Sequence, residues 1–177
     1  FANNIFTLLT IGLFFLVLVI EIMMPIFVFL IAPGFEDDYQ KMELAVTLTR
    51  ITFPFLMFIS LASFFSAILN SHNKFAIASA APIILNILLI GVLIFGKILN
   101  DQLVYYLSYA VTISGILQLI FLYFFVKKYF SPKINLSFKI DNKVKLFFKK
   151  LLPSIFSSGV TQINILVGTI IASFQAS

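Results

Sequence analysis

The sequence contains no cysteine and no tryptophan, and only 11% of its 177 residues are charged. The absence of cysteine excludes disulfide bonds and thiolate metal sites. Without tryptophan, any aromatic belt at a membrane interface depends on the six tyrosines. Soluble domains have about 25% charged residues. The low charge content therefore argues against water as the natural solvent of this chain.

Hydrophobic residues make up 61% of the sequence, and the mean hydropathy is +1.10. A soluble fold of this size cannot bury so much apolar surface, because the buried fraction is limited by surface-to-volume scaling. Five apolar segments are long enough to cross a bilayer as helices of about 20 residues. They do not alternate as barrel strands do, and backbone groups in hydrocarbon must pair internally. We predict an all-α integral membrane protein, a bundle of about five transmembrane helices over 5–31, 44–69, 75–95, 103–126 and 151–174.

Charge is distributed unevenly between the predicted connections. Eight of the twelve basic residues lie between Lys127 and Lys150. Basic loops stay in the cytoplasm. We therefore place the Lys127–Lys150 loop, the His72 loop and the N-terminal end inside, and the acidic turns at Glu36–Asp38 and Asp101 outside.

The segment 127–150 is predicted to be an amphipathic linker on the cytoplasmic leaflet. Its apolar positions recur at helical spacing, and its lysines suit anionic headgroups. Nucleic-acid binding needs similar charge but is disfavoured, because the patch lies between two spans. The apolar positions are Ile140, Val144, Phe147, Phe148, Leu151 and Leu152.

Two charged residues fall inside predicted spans. Polar groups at membrane depth usually face a bundle interior or a cavity. Glu21 is a candidate proton or cation site, a neutral acid, or a partner for Arg50. Arg50 is the only arginine. It either binds a phosphate group in bidentate geometry, reaches the outer headgroups, or pairs with Glu43.

Small and polar residues recur every three or four positions in four predicted spans, which places each set on one helix face. Such a face indicates either close helix packing or a hydrated cavity. Packing is the favoured interpretation for the third and fourth spans, and both remain open for the fifth. The sets are Ser60, Ser63, Ala67 and Asn70; Ser79, Pro82 and Asn86; Ser108, Thr112, Gly115 and Gln118; and Ser154, Ser158, Thr161, Gln162, Asn164, Gly168 and Thr169.

No catalytic, metal or nucleotide motif is evident. His72 has no second ligand near it, and a metal site needs about three or more. Asp37 and Asp38 are adjacent in a turn, which suits solvation better than acid/base catalysis. We expect no cofactor and no enzymatic activity. The chain begins at Phe1 without a signal-peptide pattern and ends after an apolar run, so we expect an internal piece of a longer protein.

Three stretches together resemble the MurJ/MviN family of lipid II flippases, within an exporter superfamily that includes the MATE transporters. They follow the family's order and spacing and cover nearly the whole chain. They are IAPGF (31–35), LTRITFPFLMFISLASFFSAILNSHNKFAIASAAPIILN (48–86) and LLPSIFSSGVTQINILVGTIIASF (151–174).

The resemblance implies part of a two-lobe transporter that moves lipid II from the inner to the outer leaflet of the bacterial cytoplasmic membrane by alternating access. The chain resembles the third to seventh spans of that family. Residues 1–126 then supply four helices of the first lobe, 127–150 the cytoplasmic linker, and 151–177 the first helix of the second lobe.

The same resemblance implies where substrate and ions bind. The family's essential cavity arginines lie mostly in helices outside this chain. Many members carry an aspartate, able to join a sodium site, at the position of Gly168, which lies next to Thr169 in this chain. Glycine supplies no side-chain oxygen, so sodium coupling is not expected here, and protons or the membrane potential are the alternatives. Cavity candidates in this chain are Arg50, Gln162, Asn164, Asn86 and Glu21.

Other functions compete with this one. The chain is alternatively another exporter of the same superfamily, such as a glycolipid flippase or a drug/cation antiporter. A membrane enzyme acting on a polyprenyl phosphate needs a cluster of acids or histidines that this sequence does not contain. A scaffold without transport activity would use the polar faces for packing alone.

Overall fold

The computed structural model of the chain describes residues 1–99, 102–134 and 142–175. The regular elements in these ranges are helical. The predicted turn at Asp101 and the linker positions 135–141 lie outside the described residues. In chain order the helices are α1 (Ala2–Ile22), α2 (Met24–Ile31), α3 (Tyr39–Thr52), α4 (Phe55–Ser71), α5 (Phe75–Ala80), α6 (Ile83–Leu99), α7 (Leu103–Val126) and α8 (Asn142–Gln175), with a 3₁₀ turn over Pro33–Phe35.

Proline divides three of the predicted spans. Pro25 stands in the first turn of α2, Pro54 immediately precedes α4, and Pro82 immediately precedes α6. A helix bends or ends at proline, because the residue has no N–H and its ring clashes with the preceding turn. The predicted span over 5–31 is therefore not one continuous helix, since α1 and α2 are separated at Met23.

The core lies where α1, α4 and α7 meet. Phe6 of α1 stacks on Phe65 of α4 with ring centroids 5.6 Å apart. Lipid tails are as apolar as these side chains, so close packing holds the core rather than transfer from water. Its buried members are Phe6, Leu61, Ala62, Phe65, Leu69, Ala81, Leu122 and Val126.

The outward faces of the helices are apolar. Large hydrophobic side chains on α1, α6 and α8 are more than half exposed, among them Ile22, Ile94 and Ile163. Soluble proteins rarely expose such surfaces, whereas lipid matches them. Four stretches in the described residues are long and apolar enough to cross a membrane: Ala2–Ile22, Tyr39–Ser71, Phe75–Gly96 and Leu103–Val126. The chain is thus an all-α, multi-pass membrane protein.

Helix α8 contains the predicted fifth span, 151–174, which is not among those four stretches, so its crossing stays a prediction. The helix passes without a break through the predicted linker boundary at Lys150, and Pro153 lies inside it. Among its described side chains, Val144 and Ser173 are the buried ones. They lie about 44 Å apart along the helix at 1.5 Å per residue. α8 is therefore held near its two ends.

Candidate functional site

An ion pair within two of the apolar stretches joins Glu21 of α1 to Arg50 of α3. Arg50 Nε lies 3.6 Å from Glu21 Oε2. Arg50 Nη2 also donates a long hydrogen bond, 3.5 Å, to the Glu21 backbone carbonyl. That carbonyl lies four residues before Pro25, which has no N–H to pair with it. Because of the proline, the Glu21 carbonyl has no partner four residues on in its own chain, and the Arg50 guanidinium donates to it instead.

The pair lines an open groove of about 470 Å³ whose other walls are apolar. The Arg50 side chain is 52% exposed and that of Glu21 is 24% exposed. Strong bidentate arginine–carboxylate pairs have N–O distances of about 2.7–2.9 Å, so this pair is loose and leaves arginine donors available to the groove. Glu21 Oε1 is buried and has no hydrogen-bond partner in the described residues. The apolar walls are Phe14, Val17, Leu18 and Ile22.

The polar face of α7 is buried in helix packing. Thr112 donates its hydroxyl to the Ile51 carbonyl, beside the break at Pro54. At Gly115, an added Cβ would lie 2.7 Å from Cδ2 of Phe55, so only glycine admits this ring. Gln118 is almost fully buried. These contacts confirm close packing, the favoured interpretation for the fourth predicted span.

The polar residues of α8 have different surroundings. Gln162, Asn164, Gly168 and Thr169 are all exposed. Thr169 donates its hydroxyl to the Ile165 carbonyl within the helix. An added Cβ at Gly168 would meet no atom within 4 Å. In the described residues, α8 packs chiefly on the 3₁₀ turn and α2, and no residue of α8 lines the groove at the Glu21–Arg50 pair. The structure therefore does not bring the two groups of candidates together.

Asn86 of α6 is exposed, as are Ser79 and Pro82 from the same predicted face. α6 packs on α7 instead through a face that includes Gly96, where an added Cβ would lie 2.6 Å from Leu103. The favoured interpretation of this face as a packing surface is therefore wrong for the described residues. Asn86 remains an exposed polar group with apolar neighbours on either side in the sequence of α6.

The polar residues at the helix ends have structural roles. The Asp38 carboxylate accepts a 3.1 Å hydrogen bond from the Lys41 backbone N–H and caps α3, and this bond lowers the pKa of that carboxyl. His72 lies against the Tyr129 ring with centroids 4.5 Å apart. The described residues contain no group of three or more His, Cys, Asp or Glu side chains placed to hold a metal ion.

Sequence reasoning missed one contact, between Gly34 in the 3₁₀ turn and Ser173 near the end of α8. The Gly34 N–H donates to Ser173 Oγ at 3.1 Å across 139 residues of sequence. The Pro-Gly pair signals a turn, but no local pattern names the helix that packs on it. Ser173 lay just beyond the polar set identified on the predicted fifth span.

Comparison with known proteins gives one consistent result. A family model described as "Lipid II flippase MurJ" matches residues 1–177. A protein named "Probable lipid II flippase MurJ" from Rickettsia prowazekii (strain Madrid E) is 38% identical over 180 residues, covering 98% of this chain and 34% of that protein. The protein of the same name from Rhizobium tropici is 38% identical, covering 98% of this chain and 33% of its own length.

A third relative, "Lipid II flippase MurJ" from Burkholderia cenocepacia, is 35% identical over 150 residues, which cover 82% of this chain and 29% of that protein. The chain thus spans about a third of the length of the curated relatives it matches. The similarity runs through the ion pair, the 3₁₀ turn and α8 alike, since the family match includes every residue.

Proposed function

We propose that this chain, which belongs to the lipid II flippase MurJ family, is part of a transporter in the bacterial cytoplasmic membrane. The transporter moves undecaprenyl-linked peptidoglycan precursor from the inner to the outer leaflet. The observation that carries the proposal is the family match along all 177 residues. Transport relocates the substrate without changing a covalent bond, so we propose no enzymatic activity.

The physical task is to carry a charged, sugar- and peptide-bearing head group across hydrocarbon. Unpaired ionised groups in such a medium are prohibitively unfavourable. The polyprenyl tail has no such difficulty and stays in the bilayer. A protein solves the problem by offering the head group a polar path, opened alternately to the two sides as in other secondary transporters.

Arg50 is the residue that we place at the phosphate groups. Its guanidinium has five N–H donors in a planar fork that fits phosphate oxygens. The contact with Glu21 is long, and the arginine side chain faces an open groove. A phosphate therefore competes with the Glu21 carboxylate for the Arg50 guanidinium. When no substrate is bound, the Glu21 carboxylate holds the arginine in place.

The exposed amides Asn86, Gln162 and Asn164 are the candidates for the uncharged part of the head group. Each amide has two N–H donors and a carbonyl acceptor, which suits sugar hydroxyls and peptide groups. Their exposure in this chain leaves those groups accessible. The family resemblance and that exposure together support this role.

The contacts also support a sidedness for the chain. The Lys133 N–H donates to the Asn3 side chain at 3.0 Å, and Phe1 meets Phe147 edge to face. The N-terminal end and both sides of the lysine-rich linker therefore lie at one end of the molecule. Following the positive-inside rule, we propose that this end faces the cytoplasm and that its lysines contact anionic headgroups.

Ion coupling is testable at Gly168. The position is open, so an aspartate fits there without displacing neighbours. If Gly168 and Thr169 occupy the family's ion position, Gly168→Asp in the full-length parent should make transport depend on sodium. Gly159→Asp, at another open glycine of α8, is the matched control. Equal transport with and without sodium in both variants would refute the assignment.

The test of the function itself is outer-leaflet exposure of lipid II in cells depleted of the full-length parent, with no second flippase present. We expect exposure to fall, precursor to accumulate inside, and re-expression to restore both. Unchanged exposure would contradict the proposal and favour another exporter of the same superfamily.

A further inference from the structure

The end of α8 and the turn after α2 meet in a contact between backbones. Gly34 of the 3₁₀ turn is buried, and Ser173 of α8 is 4% exposed. We propose that Gly34 and Ser173 form a clasp that holds this end of α8 closed, and that the clasp opens in each transport cycle. The second part of this statement rests on the proposed function.

The fit depends on the missing side chain of Gly34. An added Cβ would lie 2.5 Å from both C and O of Ser173 and 2.6 Å from the Phe174 nitrogen. All three are backbone atoms, which cannot turn aside as a flexible side chain can. No described glycine has a positive φ, so space rather than backbone conformation requires glycine here. Any larger residue separates the turn from α8.

The hydrogen bond makes the contact specific. Ser173 Oγ donates to the Ile170 carbonyl at 2.7 Å and accepts from the Gly34 N–H at 3.1 Å. The hydroxyl is thereby oriented by its own helix to receive that one donor. If the two segments part without water or another partner, the Gly34 N–H loses its acceptor, which is unfavourable for a buried group. The closed arrangement is therefore a defined state.

The position of the clasp allows it to control the movement of α8. α8 is held near Val144 and Ser173, and the described residues between them include the exposed Gln162 and Asn164. These amides lie about 14–17 Å from Ser173 along the helix. Release at Ser173 frees this part of α8 to move away from α2, which is the helix that follows Glu21 in the chain. A close contact that is either made or broken switches between two arrangements rather than deforming gradually.

The experiment measures clasp opening and transport separately. Ser173→Cys is introduced into a cysteine-free version of the full-length parent in lipid nanodiscs, where both membrane faces are accessible. A membrane-impermeant maleimide then reports how often residue 173 becomes exposed. Labelling is compared with and without Gly34→Ala. Gly91→Ala is the matched control, since an added Cβ there meets nothing within 4 Å.

We expect Gly34→Ala to raise the labelling rate about fivefold to a hundredfold, because the added Cβ overlaps the backbone of residues 173 and 174 whichever side chain residue 173 carries, while Gly91→Ala leaves it unchanged. We also expect Gly34→Ala to reduce outer-leaflet lipid II in cells. Ser173→Ala adds no atom and cannot fail through overpacking; it should reduce transport too, whereas exposed Ser131→Ala should not.

Unchanged labelling in Gly34→Ala overturns the clasp, whatever the protein transports. Raised labelling with normal transport in both Gly34→Ala and Ser173→Ala overturns its role in the cycle. If depletion of the wild-type parent leaves lipid II exposure unchanged, the proposed function fails, and the labelling comparison alone still decides whether the clasp exists.

Discussion

Helices α7 and α8 carry similar polar residues at similar spacing but place them in opposite surroundings. On α7, Ser114, Gly115 and Gln118 are buried within helix packing. On α8, Gln162 and Asn164 are exposed. The difference lies in the neighbours, because α7 lies along α4, whereas α8 is held mainly near its ends.

A polar face on an apolar helix therefore does not by itself distinguish close helix packing from a hydrated cavity. Opposite large side chains such as Phe55 and Phe58, small residues permit close approach and stabilise the bundle. Without such partners, the same residue types stay exposed, as on α8. The α4–α7 interface thus exemplifies close packing, while α8 carries residues that we propose for the substrate, and substitutions in each should change different properties.

The largest expected effect is a loss of stability in the α4–α7 core. Leu122 is 1% exposed and Leu117, on the same helix, is 40% exposed. Leu122→Ala should lower the free energy of unfolding by about 2–5 kcal/mol through the cavity it leaves, and Leu117→Ala by about 0.5 kcal/mol or less. Thermal unfolding of the purified full-length parent measures both. Equal losses would show that this interface is not a packed core.

A smaller loss is expected from Gly115→Ala, about 1–3 kcal/mol, because the new Cβ overlaps Phe55 and lies 3.1 Å from Phe58 Cβ. Gly91→Ala on α6 should be neutral or stabilising, since alanine is the better helix former. The same thermal assay compares them. A neutral Gly115→Ala would mean that the α4–α7 contact relaxes easily.

Gln118 of α7 and Gln162 of α8 provide the sharpest contrast between the two helices, with the smallest expected changes in the free energy of unfolding. Gln118 Nε2 is buried without a hydrogen-bond partner in the described residues. Gln118→Leu should therefore be neutral or stabilise by about 1 kcal/mol and leave lipid II exposure unchanged. Gln162→Leu should keep stability and reduce transport. The opposite pattern would reverse our interpretation of the two helices.

Much of the architecture follows from the sequence. Apolar run length predicted the helical membrane fold, and proline positions mark the breaks at Pro25 and Pro54, although full separation at Met23 was not foreseen. For the site, the sequence named Glu21 as one of two partners for Arg50, and the four-residue spacing to Pro25 explains the open carbonyl.

Other features depend on tertiary contacts. Whether a polar face is buried depends on the opposing helix. For this reason the prediction of close helix packing is confirmed at Gly115 and wrong at Asn86 in the described residues. The pairing of Gly34 with Ser173 joins residues 139 positions apart, and no local periodicity encodes it.

The most direct test of the account is outer-leaflet lipid II in cells whose only copy of the full-length parent carries Arg50→Ala. Arg50→Lys keeps the charge but loses the planar fork, so it separates charge from bidentate binding. We predict that Arg50→Ala is present at normal abundance yet fails to restore exposure, with Arg50→Lys intermediate. Full restoration by Arg50→Ala at equal abundance would contradict a role for this arginine in substrate binding.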